Sequence, residues 1–197
     1  MTRLFWCEIA DGIPMPEFGG EFHAHMAGKR HPDGLRRSIS AWKLLETALR
    51  EQGFEALPEV CFCETGKPYF AGIPLHFSLS HSGNLAAVIL GEEPCAVDIE
   101  QIQTAVSEKL YTRCMHPEEI EAGYGFFEAW TKKECIAKHS GSGMPAHPRE
   151  INTLDPRYDG RFFIREICDS SGNKYMLSAL CEDAGLLSAE KRTITEG

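Results

Sequence analysis

The stretch Phe126-Phe127-Glu128-Ala129-Trp130-Thr131-Lys132-Lys133-Glu134-Cys135-Ile136-Ala137-Lys138 constrains the chain most. It is rich in helix formers, and neither Gly nor Pro interrupts it before Gly141, so it predicts one helix of about three turns. Trp130, Glu134 and Lys138 fall at i, i+4 and i+8 and therefore share one face. One reading of that face is a carboxylate and an ammonium aimed at an anionic, metal-bound ligand. The other is a solvated ion pair beside a core Trp, an arrangement that contributes little.

Composition narrows the choice. A chain of 197 residues has room for one domain or two small fused ones, with a real core. Against 29 Asp and Glu stand 20 Lys and Arg, a net charge of -9. That balance argues against a nucleic-acid partner, whose protein footprint is basic, while leaving room for a local basic pocket. No apolar run approaches the roughly 20 residues that span a bilayer, and the first residues lack a signal-peptide core. The expectation is a cytoplasmic chain with no membrane partner, its eight cysteines free thiols. No C-x-x-C is present, which argues against structural zinc. Cys135 with His139 at i+4 reads either as a nucleophile and its base or as a small buried hydrophobe.

Taken in order, Leu4–Ala10 reads as a strand ending at the turn Asp11-Gly12, and Pro14 to Asp33 reads as loop carrying the basic cluster Lys29-Arg30-His31. Leu35 to Arg50 has helical apolar spacing, with Asp33 as its cap. Arg36 and Arg37 open it, where cations oppose the helix dipole; an anionic partner would explain them, as would simple solvation. Glu59–Thr65 reads as a short strand followed by Gly66-Lys67-Pro68. Phe77–Gly83 alternates into a tight turn, and Asn84–Gly91 is apolar enough for a central strand. In Cys95–Glu100, Asp98 and Glu100 share one face with Val97 and Ile99 opposite. Two carboxylates about 6–7 Å apart repel unless a cation sits between them, a spacing suited to a hard divalent ion. Thr104–Met115 reads as helix, and Pro117 restarts a short one. Arg161–Cys168 and Lys174–Cys181 form a hairpin, and residues past Asp183 read as a frayed or short helical end. Each half thus carries helix and strands, an α+β arrangement of two fused lobes.

In sequence order, Gly66-Lys67-Pro68, Ser80-His81-Ser82, Val97-Asp98-Ile99-Glu100 and Trp130-Thr131-Lys132-Lys133-Glu134-x-x-x-Lys138 resemble the 4′-phosphopantetheinyl transferase superfamily. The similarity is to its monomeric type, which activates peptide, polyketide and siderophore synthetases, and runs from about Arg30 to Met144. It implies two similar lobes related by a pseudo-twofold, residues 1–100 and 101–197, each a small antiparallel sheet packed with a helix, with the site in the cleft between them. It implies transfer of the phosphopantetheine arm of coenzyme A to a serine hydroxyl of an apo acyl, peptidyl or aryl carrier protein, releasing 3′,5′-ADP.

Residue roles follow from the same resemblance. Asp98, Glu100 and Glu134 would hold Mg²⁺ on the pyrophosphate, and Lys138 would contact the phosphate being transferred. Ser80 and His81 would meet phosphates of coenzyme A, Lys67 and Pro68 would line the adenine site, and Arg30 and Arg36 would meet phosphate from the first lobe. Glu119 stands where relatives often have a glutamate and could serve as general base; Glu118 is the alternative match, and both could simply cap their helix. The chemistry is sound on its own terms, since cleaving a pyrophosphate needs charge stabilisation and positioning more than covalent help. Two departures stand out: Ala96 replaces the family's usual Gly, and Lys43-Leu44-Leu45 lacks an Arg common in relatives. A module that binds coenzyme A or a carrier without catalysis is the remaining alternative.

Overall fold

The computed structural model describes residues 1–195. Its strands are β1 (Arg3–Glu8), β2 (Gly19–Gly20), β3 (Glu59–Phe62), β4 (Pro68–Phe70), β5 (His76–Ser82), β6 (Leu85–Gly91), β7 (Ala96–Gln101), β8 (Phe162–Cys168), β9 (Lys174–Leu180) and β10 (Ala189–Lys191). The helices are α1 (Phe22–Ala27), α2 (Pro32–Glu51), α3 (Glu108–Cys114), α4 (Pro117–Glu121) and α5 (Phe126–Ser140). Among the described residues no helix is long and apolar enough to cross a membrane.

The fold is α+β, with sheets in which antiparallel pairing dominates. One sheet has the order β10-β1-β6-β5 and another β7-β9-β8; a small third sheet, β2-β3-β4, flanks the first. Helix α2 packs on β5, β6 and β1, and α5 packs on β7 and β9. In both units a strand, a helix and a hairpin follow in sequence, and the hairpin's last strand pairs between the other two. Strand β6 is buried along its whole length, as its apolar run requires. Its even and odd positions feed two cores. Ala86, Val88 and Leu90 face α2 with the aromatic cluster of Phe18, Phe22, Trp42 and Phe77. Leu85, Ala87 and Ile89 instead meet Val97, Ile99 and Leu177 of the second sheet. Each fully buried Leu or Ile in these clusters stabilises by about 1.5–3 kcal/mol before entropy is counted.

Several local expectations shift. The segment from Pro14 to Asp33 is not wholly loop: Phe22 and Met26, one turn apart and both buried, hold the short helix α1 against the core. Asp33 does not cap α2; Pro32 takes the first helical position after His31, and Asp33 sits in the first turn. The expected Thr104–Met115 helix begins only at Glu108, where the Ser107 hydroxyl accepts the Leu110 amide. Strand β3 ends at Phe62, three residues early. Past Asp183 the short 3-10 turn Ala184–Leu186 fits the expected short helical end, but the chain then forms β10, which pairs parallel to β1.

The two larger sheets meet along β5 and β7, whose edges are joined by side chains rather than by a ladder. Ser80 Oγ accepts the Ile99 amide at 3.3 Å, and Ser82 Oγ accepts the Gln101 amide at 3.1 Å. Two hydroxyls at i and i+2 thus replace ladder carbonyls and wedge the strands apart. Gly83, which turns β5 into β6 at φ 52°, cannot be replaced freely, because a Cβ there would stand 2.6 Å from the Tyr175 hydroxyl.

Candidate functional site

The wedge between β5 and β7 opens into a cleft of about 400 Å³. Ser38, Ala41 and Trp42 of α2 wall one side, and Glu134, Ala137 and Lys138 of α5 the other. Lys67 and Pro68 close one end, where the Lys67 ammonium bonds the His139 carbonyl at 3.0 Å and ties the β3–β4 turn to the end of α5. Ser80 and His81 lie on the strand between the walls.

Alternation along β7 puts Val97 and Ile99 in the core and turns Asp98 toward α5, as the spacing predicts. The methyl of Ala96, on the same face, packs with Cys135 and Leu180, so the departure from Gly is accommodated. Helix α5 is seated by Ala129, Thr131, Cys135 and Ala137, all buried. Thr131 Oγ1 and Ser178 Oγ stand 2.7 Å apart, and the Cys135 thiol donates to the Ser178 carbonyl at 3.2 Å. Trp130 is not the anchor: it is half-buried, stacks on Phe126 and borders a neighbouring groove with Glu100. Seating by the residues between them leaves Glu134 and Lys138, one turn apart, along the edge that faces the cleft.

Lys138 is the centre of the site. Its ammonium donates to Asp98 Oδ1 at 2.7 Å, to the Val97 carbonyl of β7 at 3.0 Å and to the Leu79 carbonyl of β5 at 3.4 Å. The same Asp98 oxygen accepts the Ser80 hydroxyl at 2.8 Å. Burial alone would lower the Lys138 pKa, but the charge and hydrogen bond of Asp98 outweigh it and hold the ammonium above the ordinary lysine range. Glu134 is raised, first by burial and then by the charge of Asp98, with Lys138 opposing. Glu100 is raised by burial and by Asp98, although the Ser82 hydroxyl and Lys138 work the other way. Asp98, Glu100 and Glu134 are therefore coupled through a common field, with one lysine as their counter-charge.

The donor chemistry of three partly buried carboxylate side chains fits a hard divalent cation. As arranged, however, Lys138 holds Asp98, and among the described residues no three His, Cys, Asp or Glu side chains converge as a ready cage.

Polar and basic groups also line the cleft. His81 Nε2 and Ser38 Oγ lie 3.3 Å apart. Burial lowers the His81 pKa, and the charges of Arg37, Lys29 and Lys138 push it further down, so the ring is neutral at pH 7. Lys29 lines the cleft; Arg30, its neighbour, is exposed and does not. Arg36 pairs with Asp11 at 3.0 Å and borders a separate depression with Leu35 and Ile39. Lys29 thus lines the cleft where Arg30 does not, and Arg37 rather than Arg36 acts on His81 by its charge. Helix geometry explains Arg37: it precedes Ala41 by one turn, and Ala41 faces the cleft, whereas Arg36 is rotated about 100° away. Lys29, Ser38 and Trp42 line the cleft although motif spacing did not single them out.

Glu119 is elsewhere. Its carboxylate is fully buried, accepts the Thr153 amide at 3.0 Å, the Thr153 hydroxyl at 2.8 Å and the His116 amide at 2.8 Å, and pairs with Lys133 at 2.9 Å. The His116 contact completes a capping box on α4. A carboxylate fully buried among four donors is out of reach of a substrate hydroxyl, and the capping alternative is the one its geometry favours. Glu118 is exposed and accepts from the Asn152 side chain. Cys135 is no nucleophile: it is fully buried, and burial raises its thiol well above the ordinary range.

Comparison with known proteins agrees with this geometry. Residues 94–184, from just before β7 to just after β9, match the family model of the 4′-phosphopantetheinyl transferase superfamily. The chain is 36% identical over 124 residues to 4′-phosphopantetheinyl transferase AcpT of Salmonella typhimurium, an alignment covering 56% of this chain and 62% of that protein. It is 35% identical over 125 residues to AcpT of Escherichia coli K12, covering 56% and 61%, and 30% identical over 122 residues to 4′-phosphopantetheinyl transferase psf-1 of Bacillus pumilus, covering 55% and 52%. The chain spans about three fifths of the length of the two AcpT relatives. The matched segment holds Asp98, Glu100, Glu134 and Lys138 together, and through it the chain is similar to the 4′-phosphopantetheinyl transferase superfamily.

Proposed function

We propose that this protein transfers the 4′-phosphopantetheine arm of coenzyme A to a serine hydroxyl of an apo carrier protein, in a Mg²⁺-dependent reaction that releases 3′,5′-ADP. One observation carries the reading: Glu134 and Lys138, whose ammonium holds Asp98, line a cleft that Lys29, Lys67 and His81 also line. A ligand with phosphates at two places suits that layout, with one set beside Lys138 and another beside Lys29 and His81.

In this reading Asp98, Glu100 and Glu134 would hold Mg²⁺, which when bound would supply positive charge to the pyrophosphate. Lys138 keeps its proton through the reaction and offers an ammonium to the phosphate being transferred, whose charge grows as the leaving oxygen departs. Ser80 orients Asp98 by donating to it. His81, neutral, presents a hydrogen bond to coenzyme A, while Lys29 and Arg37 supply the first-lobe charge that Arg30 and Arg36 were expected to supply. Lys67 and Pro68 border the adenine. Glu119 is assigned to the architecture, and the serine proton leaves by another acceptor.

The two sheet-and-helix units are taken as lobes related by a pseudo-twofold, supported by their shared strand order. Their seam is proposed just ahead of Ala96, a few residues before the 100/101 division expected from sequence, with the pairing of β7 and β9 as support. A chain holding both units can build the cleft alone, so a cytoplasmic monomer is proposed. The test is intact-mass measurement of apo carrier proteins after incubation with the protein, coenzyme A and Mg²⁺. A gain of one phosphopantetheine group is expected; no gain across acyl, peptidyl and aryl carriers, with coenzyme A still bound, would leave a binding module in its place.

A further inference from the structure

Cys95 and Cys181 take no part in the chemistry above, yet the pairing of β7 with β9 brings them face to face. The ladder runs from Gln101 opposite Tyr175 to Ala96 opposite Leu180, and one further step sets Cys95 opposite Cys181. Alternation puts both side chains on the same side of the sheet. Cys95, Val97 and Ile99 share a buried cluster with Leu177, Ala179 and Cys181. Ala96 and Leu180, on the other side, pack with Cys135 of α5 instead.

The hydrogen bonds fix the kind of pair. The Cys181 amide donates to the Arg161 carbonyl at 3.1 Å, on the β8 side, so its peptide groups point away from β7. At the other end of the ladder the Lys174 carbonyl accepts the Ile102 amide at 2.8 Å, so the even-numbered positions of β9 are those that bond β7. Cys95 and Cys181 therefore form a non-hydrogen-bonded pair. In such pairs opposed Cα atoms stand about 4.5 Å apart and the side chains are closest. A disulfide spans Cα separations of about 4.4–6.8 Å, so bonding these two asks for no more than a slight widening of the strands. Among the described residues no other ladder sets two cysteines opposite each other: Cys7 faces Ala86, Cys61 faces Tyr69 and Cys168 faces Lys174.

We propose that Cys95 and Cys181 are a site of reversible oxidation, closing a cross-strand disulfide when the protein meets a low-molecular-weight disulfide. The bond joins the strand that carries Asp98 to the strand whose Ser178 seats α5, whatever reaction the cleft performs. The exchange balances without a further reagent. One protein thiolate attacks a sulfur of the small disulfide, forming a mixed disulfide and expelling one small thiolate. The second cysteine attacks the protein sulfur of that mixed disulfide, forming the S–S bond and expelling the other. The two cysteine protons end on the two expelled thiolates. Cys181 attacks first. Burial raises both thiols, Cys95 to about 12 and Cys181 to about 11, and the Asp183 amide donates to the Cys181 sulfur. Cys181 also ends its strand, just before exposed Glu182. Each residue is only 1% exposed, so exchange is slow and waits on fraying of the β9 end. The pair stays reduced in a reducing compartment and closes under sustained oxidation.

The test incubates the full chain with graded ratios of glutathione to glutathione disulfide, quenches with acid, blocks the remaining thiols with a maleimide and maps the peptides by mass. One linked peptide pair is expected, Cys95 with Cys181, at the cost of two hydrogens and reversed by dithiothreitol. The linked protein should melt several degrees above the reduced form, because the bond closes a long loop in the unfolded chain. Cys95→Ser and Cys181→Ser should each abolish both the link and the oxidant-dependent rise. Cys95→Ala and Cys181→Ala repeat the measurement without a buried hydroxyl, with circular dichroism confirming the fold. Cys63 and Cys168 are exposed, and Cys63→Ser/Cys168→Ser should still form the link. Linkage of any other pair, or lasting glutathione adducts on Cys95 or Cys181 in the wild type, would overturn the proposal. So would survival of both thiols, in protein warmed to just below its melting point, at a ratio that fully modifies Cys63.

Discussion

Lys133 and Glu119 meet at 2.9 Å with neither side chain exposed to solvent. The Lys133 ammonium also bonds the Ile151 carbonyl, and Glu119 takes up Thr153 and His116. The pair therefore pins α4 and the Ile151–Thr153 segment onto α5 at the residue next to Glu134. Removing one partner strands a buried charge, so Lys133→Met should lower unfolding free energy by about 3–5 kcal/mol in urea titration. Glu119→Gln/Lys133→Met, which removes both charges, should cost less than the sum of the single changes. A strictly additive result would show that the two groups do not act as a pair.

The same carboxylate sets an acid limit on stability. Burial works to raise the Glu119 pKa, but the Lys133 bond and the Thr153 and His116 amides prevail and hold it below its ordinary 4.5. The Lys133 pKa is lowered, because burial outweighs the attraction of a single carboxylate. Glu119 is the ionised partner, with four donors set against its burial. A carboxyl depressed on folding contributes stability that is fully present above pH 4.5 and lost as pH falls through its folded value. Melting temperature should therefore decline on acidification below that point, and Glu119→Gln should flatten the decline.

At the cleft, Asp98 and Lys138 should matter to turnover rather than to folding. Lys138→Met removes the ammonium from the phosphate site, and a loss of about 10²–10³ in kcat is expected for a single electrostatic donor. Asp98→Asn should give a comparable or larger loss while retaining the melting profile. Full carrier loading by Asp98→Asn would remove that residue from the site.

The first-lobe cations give a discriminating pair. Lys29→Ala and Arg37→Ala should each raise KM for coenzyme A several-fold, since each loses one charge near its phosphates. Arg36→Ala, whose guanidinium faces Asp11, should change it little. The reverse order, read from steady-state kinetics, would return Arg36 to the binding set.

Cation removal separates metal from thiol chemistry. EDTA should abolish carrier loading and added Mg²⁺ restore it, whereas alkylating reagents acting on the native protein should leave Cys135 unmodified, as mass mapping can show. Its thiol is fully buried and held well above its ordinary pKa.

Local pattern determined a good deal of this protein. The i, i+4, i+8 spacing set Glu134 and Lys138 on one face of α5, and period two set Asp98 and Glu100 apart from Val97 and Ile99. Gly83 and the Asp169–Asn173 turn marked both hairpins. These features are legible because a backbone repeat alone decides which residues share a face. Partners distant in the chain were not. Whether Arg36 or Arg37 serves the cleft turns on how α2 is rotated against β5, and packing of Trp42 and Leu45 decides that rotation. Glu119 read as a base because its type and position fit one; only the arrival of Lys133 and Thr153 beside its Oε1, in a fully buried setting, made it a structural anion. Strand β10 was hidden because a three-residue strand carries little periodicity and is held by pairing with β1 at the other end of the chain. Trp130 looked like the anchor of α5, but its neighbours Thr131 and Cys135 reach Ser178 of β9. Sequence thus specified which groups the site contains, and long-range packing decided which of their neighbours they face.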